Sequence, residues 1–176
     1  MPSGTIDALI RELEEASERL DLSEYPALIP DEGVQIAYAL PAARGKEDVA
    51  VLSNGRISIA SDFPASRMVL TAMRFDPSIR CVIIIRYNKE ILSACNAMMM
   101  EICTFDRAHE PPGIPTIDWG VAFCSEKSDG VPDIIYDLGS AGKDPLIRVL
   151  GENPTRLSTS LNRILARNKY TNLKEE

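Results

Sequence analysis

The segment Cys81-Val82-Ile83-Ile84-Ile85, closed at each end by Arg80 and Arg86, constrains this chain more than any other. It is too short for a helix and β-branched through most of its length, with no polar residue to face water. Such a run reads as a central strand buried on both faces. A strand of that kind needs a covering layer on each side of its sheet, which points to helices on both faces of an α/β sheet. No apolar run in the chain exceeds it, so none approaches the roughly 20 residues that cross a bilayer. The opening Met1-Pro2-Ser3-Gly4 lacks the basic and apolar regions of a secretory leader, and a cytoplasmic protein is expected.

Periodicity fills in the rest. Ile6, Leu9, Ile10, Leu13, Ala16 and Leu20 recur at helical spacing and predict a helix over residues 6–20. A strand is expected over 34–40, ending at Pro41, and a short connecting turn or helix over 45–53. The Asn54-Gly55 dipeptide predicts a tight turn into a strand over 56–60. Pro64 suits the first turn of a helix that buries Met68, Val69, Ala72 and Met73 and stops before Pro77. Asn88 is placed to cap a helix ending at Met98-Met99-Met100, where core filling is the expected use of the methionines. A strand over 101–105, a Pro- and Gly-rich loop to Pro115, and a helix or helical turn beginning at Trp119 follow. Strands over 131–136 and 146–150 are joined by the loop Gly139-Ser140-Ala141-Gly142-Lys143. Asn153-Pro154 opens the last helix, with a polar, frayed tail after Asn168. One domain is expected over 1–176, with its N-terminal helix within 1–24 and the tail at 169–176.

A formal net charge of −7, with no Lys/Arg stripe against it, disfavours binding of nucleic acid or anionic membrane by this chain alone. Cys81, Cys95, Cys103 and Cys124 form no CxxC pair and sit in apolar segments, so reduced core thiols are expected. With one histidine, His109, no metal site is expected.

Several strings occur in a telling order: Tyr38-Ala39-Leu40-Pro41, Leu70-Thr71-Ala72-Met73 with Asp76-Pro77-Ser78-Ile79-Arg80, Phe105-Asp106-Arg107, and Trp119-Gly120-Val121. Pro132-Asp133-Ile134-Ile135-Tyr136-Asp137 and Gly142-Lys143 ahead of Ile147-Arg148-Val149-Leu150-Gly151 complete the set. Together, over roughly residues 5–168, they resemble the archaeal-type thiamine-phosphate synthase (ThiN) domain family. The resemblance implies a three-layer α/β/α domain with a mixed, mostly antiparallel sheet, similar to class II aldolase/epimerase domains. Members join a hydroxymethylpyrimidine diphosphate to a thiazole phosphate, releasing pyrophosphate, usually fused behind a pyrimidine kinase. In another branch the domain follows a helix-turn-helix module and senses a ligand.

The reaction asks for phosphate neutralisation while charge develops on a pyrimidine methylene, which cations, backbone N–H groups and Mg²⁺ can supply. Arg56 matches the arginine the family treats as catalytic; the alternative is an exposed strand-end arginine. Arg67, Arg86, Arg107, Lys143 and Arg148 are candidate phosphate ligands. Gly139, Ser140 and Gly142 form a loop that either cradles a phosphate or is simply a glycine-rich hairpin. Arg107 could equally be held in an ion pair with Asp106 or Asp137, and Trp119 could stack on a pyrimidine or anchor packing. The family's active-site histidine falls on Pro64, which can neither donate nor move a proton. The expected function is therefore a sensor-like domain binding thiamine phosphate or a related phosphorylated precursor, with lost or weakened catalysis. The alternative is an active stand-alone synthase using Mg²⁺. A homodimer and a DNA-binding partner acting in trans are both compatible with the sequence.

Overall fold

The computed structural model describes residues 4–20, 22–109, 116–140 and 142–175, and for 116–118 and 168–175 the backbone alone. The expectations for Met1–Ser3, for Ala141 and for residues 110–115 of the Pro-rich loop lie outside the described residues. Seven strands form one sheet: β1 (Gln35–Ala39), β2 (Val49–Ser53), β3 (Arg56–Ile59), β4 (Cys81–Arg86), β5 (Ile102–Thr104), β6 (Ile134–Asp137) and β7 (Leu146–Gly151). Their order is β3-β2-β1-β4-β7-β6-β5. Every pairing is antiparallel except β5 with β6. The apolar run Cys81–Ile85 lies in β4, at the centre of the sheet, and all five residues are buried.

Two helical layers cover the sheet. On one face α1 (Ile6–Arg19), α3 (Lys89–Ala97) and α5 (Pro154–Glu175) pack on Ile36, Tyr38, Ile83, Ile85, Ile134, Ile147 and Val149. On the other, α2 (Pro64–Phe75) and α4 (Thr116–Lys127) pack on Ala37, Ala39, Val49, Val51, Val82, Ile84, Ile135 and Leu150. The odd–even split of each strand between the two clusters is the period-2 alternation of a strand, with apolar residues on both sides. Full burial of each Leu, Ile or Val is worth about 1.5–3 kcal/mol, so both layers are held mainly by this packing.

Local signals carried through where they had a mechanism. Thr5 caps α1, its hydroxyl accepting from the Ala8 N–H at 3.2 Å, and Asn88 caps α3 by accepting from Glu90 and Ile91. Pro64 occupies the first turn of α2. Asn54 and Gly55 both have positive φ, 52° and 77°, which is the type I′ geometry that suits a two-residue hairpin.

Four expectations fail. The segment expected to be a turn or helix contains β2, which pairs with β1 and β3 and is buried from Val49 to Leu52. Its apolar run lacked alternation because both of its faces are covered. The tail expected to fray continues α5 as helix to Glu175. Met99 does not fill the core: it turns the chain at φ 62° just past α3 and is 91% exposed, whereas Met98 and Met100 pack against the core. Cys103 and Cys124 form a disulfide, with Cα atoms 5.9 Å apart, because β5 and α4 bring them together from 21 residues apart in sequence. Cys81 and Cys95 remain buried free thiols, and burial pushes the Cys95 pKa up to about 11.

Candidate functional site

A cleft of about 430 Å³ opens at one end of the sheet on the α2/α4 side. Its floor is Gln35 of β1, Ile84 of β4, and Leu146 and Arg148 of β7; Pro64 and Met68 of α2 form a wall. The loop Pro30–Gly33 and residues 142–144 close the rim, and Arg107 enters from the segment after β5. The antiparallel register explains the convergence, since it brings the starts of β1 and β7 beside the end of β4.

The cleft's positive charge is anchored from beneath. Asp137, at the end of β6, has a fully buried side chain and holds two arginines at once. Its Oδ2 accepts from Arg148 Nη2 at 2.8 Å and from Arg107 Nη2 at 3.2 Å. The Arg107 Nε–Asp137 Oδ1 approach of 2.7 Å is a charge contact, not a hydrogen bond, because that N–H is not directed at the oxygen. Asp137 Oδ1 also accepts from the Gly139 N–H at 2.8 Å. Arg148, 1% exposed, lies over the Phe105 ring, its carbon centre 5.2 Å from the centroid. Desolvation by burial draws the Arg148 pKa below the ordinary guanidinium value, against the opposing pull of Asp137. Its Nη1 is buried without a hydrogen-bond partner, as is Oε1 of Gln35.

The sequence candidates divide. Arg107, Gly142, Lys143 and Arg148 line the cleft, and so does Pro64. Arg86 ends β4 and is bound to Asp31 and, at 3.3 Å, to Asp144, which both line it. Gly139, Ser140 and Lys143 form a tight hairpin: Ser140 and Lys143 exchange backbone hydrogen bonds of 3.2 and 2.9 Å. Gly139 turns at φ +78°, where a β-carbon would meet the Lys143 carbonyl. The backbone N–H groups of Gly139, Ser140 and Lys143 are thus spent within the protein. Arg67, on α2, does not line the cleft and forms an exposed pair with Asp62 at 2.8 Å. Trp119 packs edge-on to Phe105 and stacks on Phe123. His109, with 77% of its side chain exposed, sits 3.9 Å from Asp106 and does not line the cleft.

Arg56 does not line the cleft but belongs to its plane. It pairs with Ser53, Ser53 with Gln35, Gln35 with Ile84, and Ile84 with Arg148, in one row across four adjacent strand pairings. Directly opposed residues share a face. At about 4.8 Å per strand, Arg56 and Gln35 stand roughly 10 Å apart, within reach of a long side chain.

Reasoning from the sequence missed Gln35, Asp31, Glu32 and Asp144, and it named Asp137 as an alternative ion-pair partner of Arg107 without its second arginine, Arg148. Asp137 carried a readable signal: a carboxylate closing the apolar run Ile134-Ile135-Tyr136 must be paired if that strand is buried. Among the described residues, no group of three His, Cys, Asp or Glu could hold a metal ion. No helix among them is long and apolar enough to cross a membrane.

The profile of the family described as Thiamine-phosphate synthase ThiN matches residues 58–163. The chain belongs to that family. It is 36% identical, over 72% of its length, to the Bifunctional thiamine biosynthesis protein ThiDN of Methanocaldococcus jannaschii, a third (33%) of whose length it spans. It is 27% identical to the Thiamine-phosphate synthase ThiN of Methanothermobacter thermautotrophicus, over 94% of this chain and 97% of that one. The crystal structure of the C-terminal domain of protein MJ0236 superposes with a TM-score of 0.84 at 30% identity, covering 95% of this ThiN-family chain and 98% of that domain. L-fuculose 1-phosphate aldolase, at 13% identity and a TM-score of 0.50 over 97% of this chain and 87% of its own, shares the fold alone. The three-layer architecture of the ThiN-family chain is thus that of class II aldolase-like proteins.

Proposed function

We propose that the cleft binds thiamine phosphate or a related phosphorylated thiamine precursor, and that catalysis in it is lost or weakened. The reading rests on where Pro64 sits. The resemblance put the family's active-site histidine at this position, and Pro64 lines the cleft beside Arg107, Lys143 and Arg148. The wall that would carry a proton-handling imidazole therefore carries a ring with no donor, acceptor or exchangeable proton. What remains suits binding: the cations line an otherwise partly apolar cleft of a volume that takes a small phosphorylated heterocycle.

A second reading has its own support. The Methanothermobacter relative, matched almost end to end, is named a thiamine-phosphate synthase. The chemistry breaks the methylene–oxygen bond to pyrophosphate and forms a bond from that methylene to the thiazole nitrogen, and it can proceed on cations alone. Arg56, in the row of the cleft floor, would approach the leaving diphosphate. A magnesium ion carried in on the substrate phosphates would find its protein ligands in one or two of Asp31, Glu32 and Asp144 on the rim, of which Asp31 and Asp144 also hold Arg86. It would supply charge neutralisation of the pyrophosphate. A cytoplasmic setting suits either reading, although the Cys103–Cys124 disulfide is uncommon there.

Incubating the chain with hydroxymethylpyrimidine diphosphate, thiazole phosphate and Mg²⁺ separates the two. The expected outcome is binding of thiamine phosphate with little or no turnover, and a rise in turnover of at least tenfold in Pro64→His, general acid–base groups contributing about 10²–10⁴-fold where they act. Robust turnover in the native chain that is abolished by Arg56→Ala would establish the second reading instead.

A further inference from the structure

The Cys103–Cys124 disulfide stands at the foot of a ladder of contacts that ends on the arginines of the cleft. Cys103 and Phe105 are two residues apart and both join the core on the α2/α4 side of the sheet. Gly120 and Cys124 are one turn apart on α4 and share a face of it. The bond is the first rung. The second is the Phe105 ring on Gly120, packed so closely that a β-carbon there would stand 2.5 Å from it. Trp119 meets the same ring edge-on at 5.7 Å, and the Arg148 guanidinium lies over it at 5.2 Å. Two residues beyond Phe105, Arg107 shares Asp137 with Arg148. We infer that this disulfide is a redox switch of the cleft: closed, it holds Phe105, Arg107 and Arg148 in an anion-binding arrangement, and opened by a dithiol, it weakens that binding.

The fold suits such a device. β5 is a three-residue strand at the edge of the sheet, paired among the described strands with β6 alone, so the bond to α4 is a principal tie. Two thiols in contact stand about 4 Å apart where a bond holds their sulfurs at about 2 Å, and close packing passes such a shift on to Phe105 and the guanidinium above it. The other cysteines, Cys81 and Cys95, belong to the core on the opposite face of the sheet, so the bond can open and close again without exchanging partners. Opening is thiol–disulfide exchange. One thiolate of the dithiol attacks the Cys103 sulfur, the less buried of the two, and the bonding pair leaves on Cys124, which takes up a proton. The second thiol then closes a cyclic disulfide and releases Cys103, which takes up the other proton. Two electrons pass from the dithiol to the cystine. In a cytoplasmic setting the disulfides that form are mostly catalytic or redox-sensing, and the rival role here is a purely structural staple. The inference concerns anion binding by the cleft and rests on the proposed function only for the identity of the natural ligand.

The test uses the full chain, oxidised and dithiothreitol-reduced, well below its melting temperature and with circular dichroism showing the same helix content in both states. Thiol titration of the unfolded oxidised chain should count two groups, Cys81 and Cys95, and four after reduction. Calorimetry then measures two probes, thiamine phosphate and pyrophosphate, the second reporting on the cations alone. Reduction should weaken both by at least fivefold and flatten the salt dependence of binding, and reoxidation should restore them. Cys103→Ala/Cys124→Ala should bind as the reduced chain does and ignore dithiothreitol. Equal affinity in the two states overturns the inference and leaves the proposed function standing, and so does a count of four thiols in the oxidised chain. A redox-dependent affinity for pyrophosphate without any binding of thiamine phosphate does the reverse. If neither probe binds in either state, both fall. Should the double variant not fold, the comparison of the oxidised and reduced native chain still decides.

Discussion

Asp137 shares a buried carboxylate between the guanidinium groups of Arg107 and Arg148, the two arginines that line the cleft. Removing its charge would leave Arg148 fully buried beside Arg107 with no carboxylate to offset their mutual repulsion. Breaking one partner out of such a buried network costs about 3–5 kcal/mol, so Asp137→Asn should lower unfolding stability by that amount in a urea titration. An exposed pair behaves differently. Asp31 meets Arg86 at the rim, and the hydrogen bond from that guanidinium holds the Asp31 carboxyl below its ordinary pKa. A lowered folded pKa means that the pair's contribution is fully present above the unfolded carboxylate value and is lost as pH falls through the folded one. Carboxyl-carbon NMR should therefore show Asp31 titrating below the usual aspartate range, and Arg86→Met should return it to that range.

The Cys103–Cys124 disulfide fastens β5, an edge strand of three residues, to α4, and Phe105 and Arg107 follow β5 directly. Closing a loop of 21 residues contributes about 3 kcal/mol by constraining the unfolded chain. Reduction, or the double replacement Cys103→Ala/Cys124→Ala, should lower the melting temperature by about 6–12 °C for a domain of this size, as calorimetry would show. The bond also marks the boundary of what could be read at this scale. Helices with a cap or an N1 proline, the Asn54-Gly55 hairpin and the central strand were legible because each has a local cause. The disulfide and β2 were not, since one depends on a long-range approach and the other on cover from both layers. The cleft divides the same way. Arg107, Lys143 and Arg148 stood out as cations at strand ends, but Gln35 looks like any strand glutamine until the register sets it across Ile84 from Arg148.

At the scale of the whole molecule, the charge distribution is uneven in a useful way. The chain carries a net −7, yet Arg107, Lys143 and Arg148 converge on one cleft, with Arg86 at its rim. An anion entering the cleft meets two arginines, Arg107 and Arg148, already held in place by Asp137, so they need little ordering on binding. Any ligand that binds the folded chain alone stabilises it by mass action, about 2.7 kcal/mol when present at 100 times its dissociation constant. For a domain of this size that corresponds to a rise in melting temperature of about 5–10 °C. The proposed ligand should produce it at low ionic strength, and the shift should shrink as salt screens the cleft. Thermal melts with thiamine phosphate across a salt series would measure both effects. A shift that persists unchanged to high salt would place the binding energy in apolar contacts of the cleft and not in its cations. No shift at any salt concentration would mean that the cleft does not take this ligand.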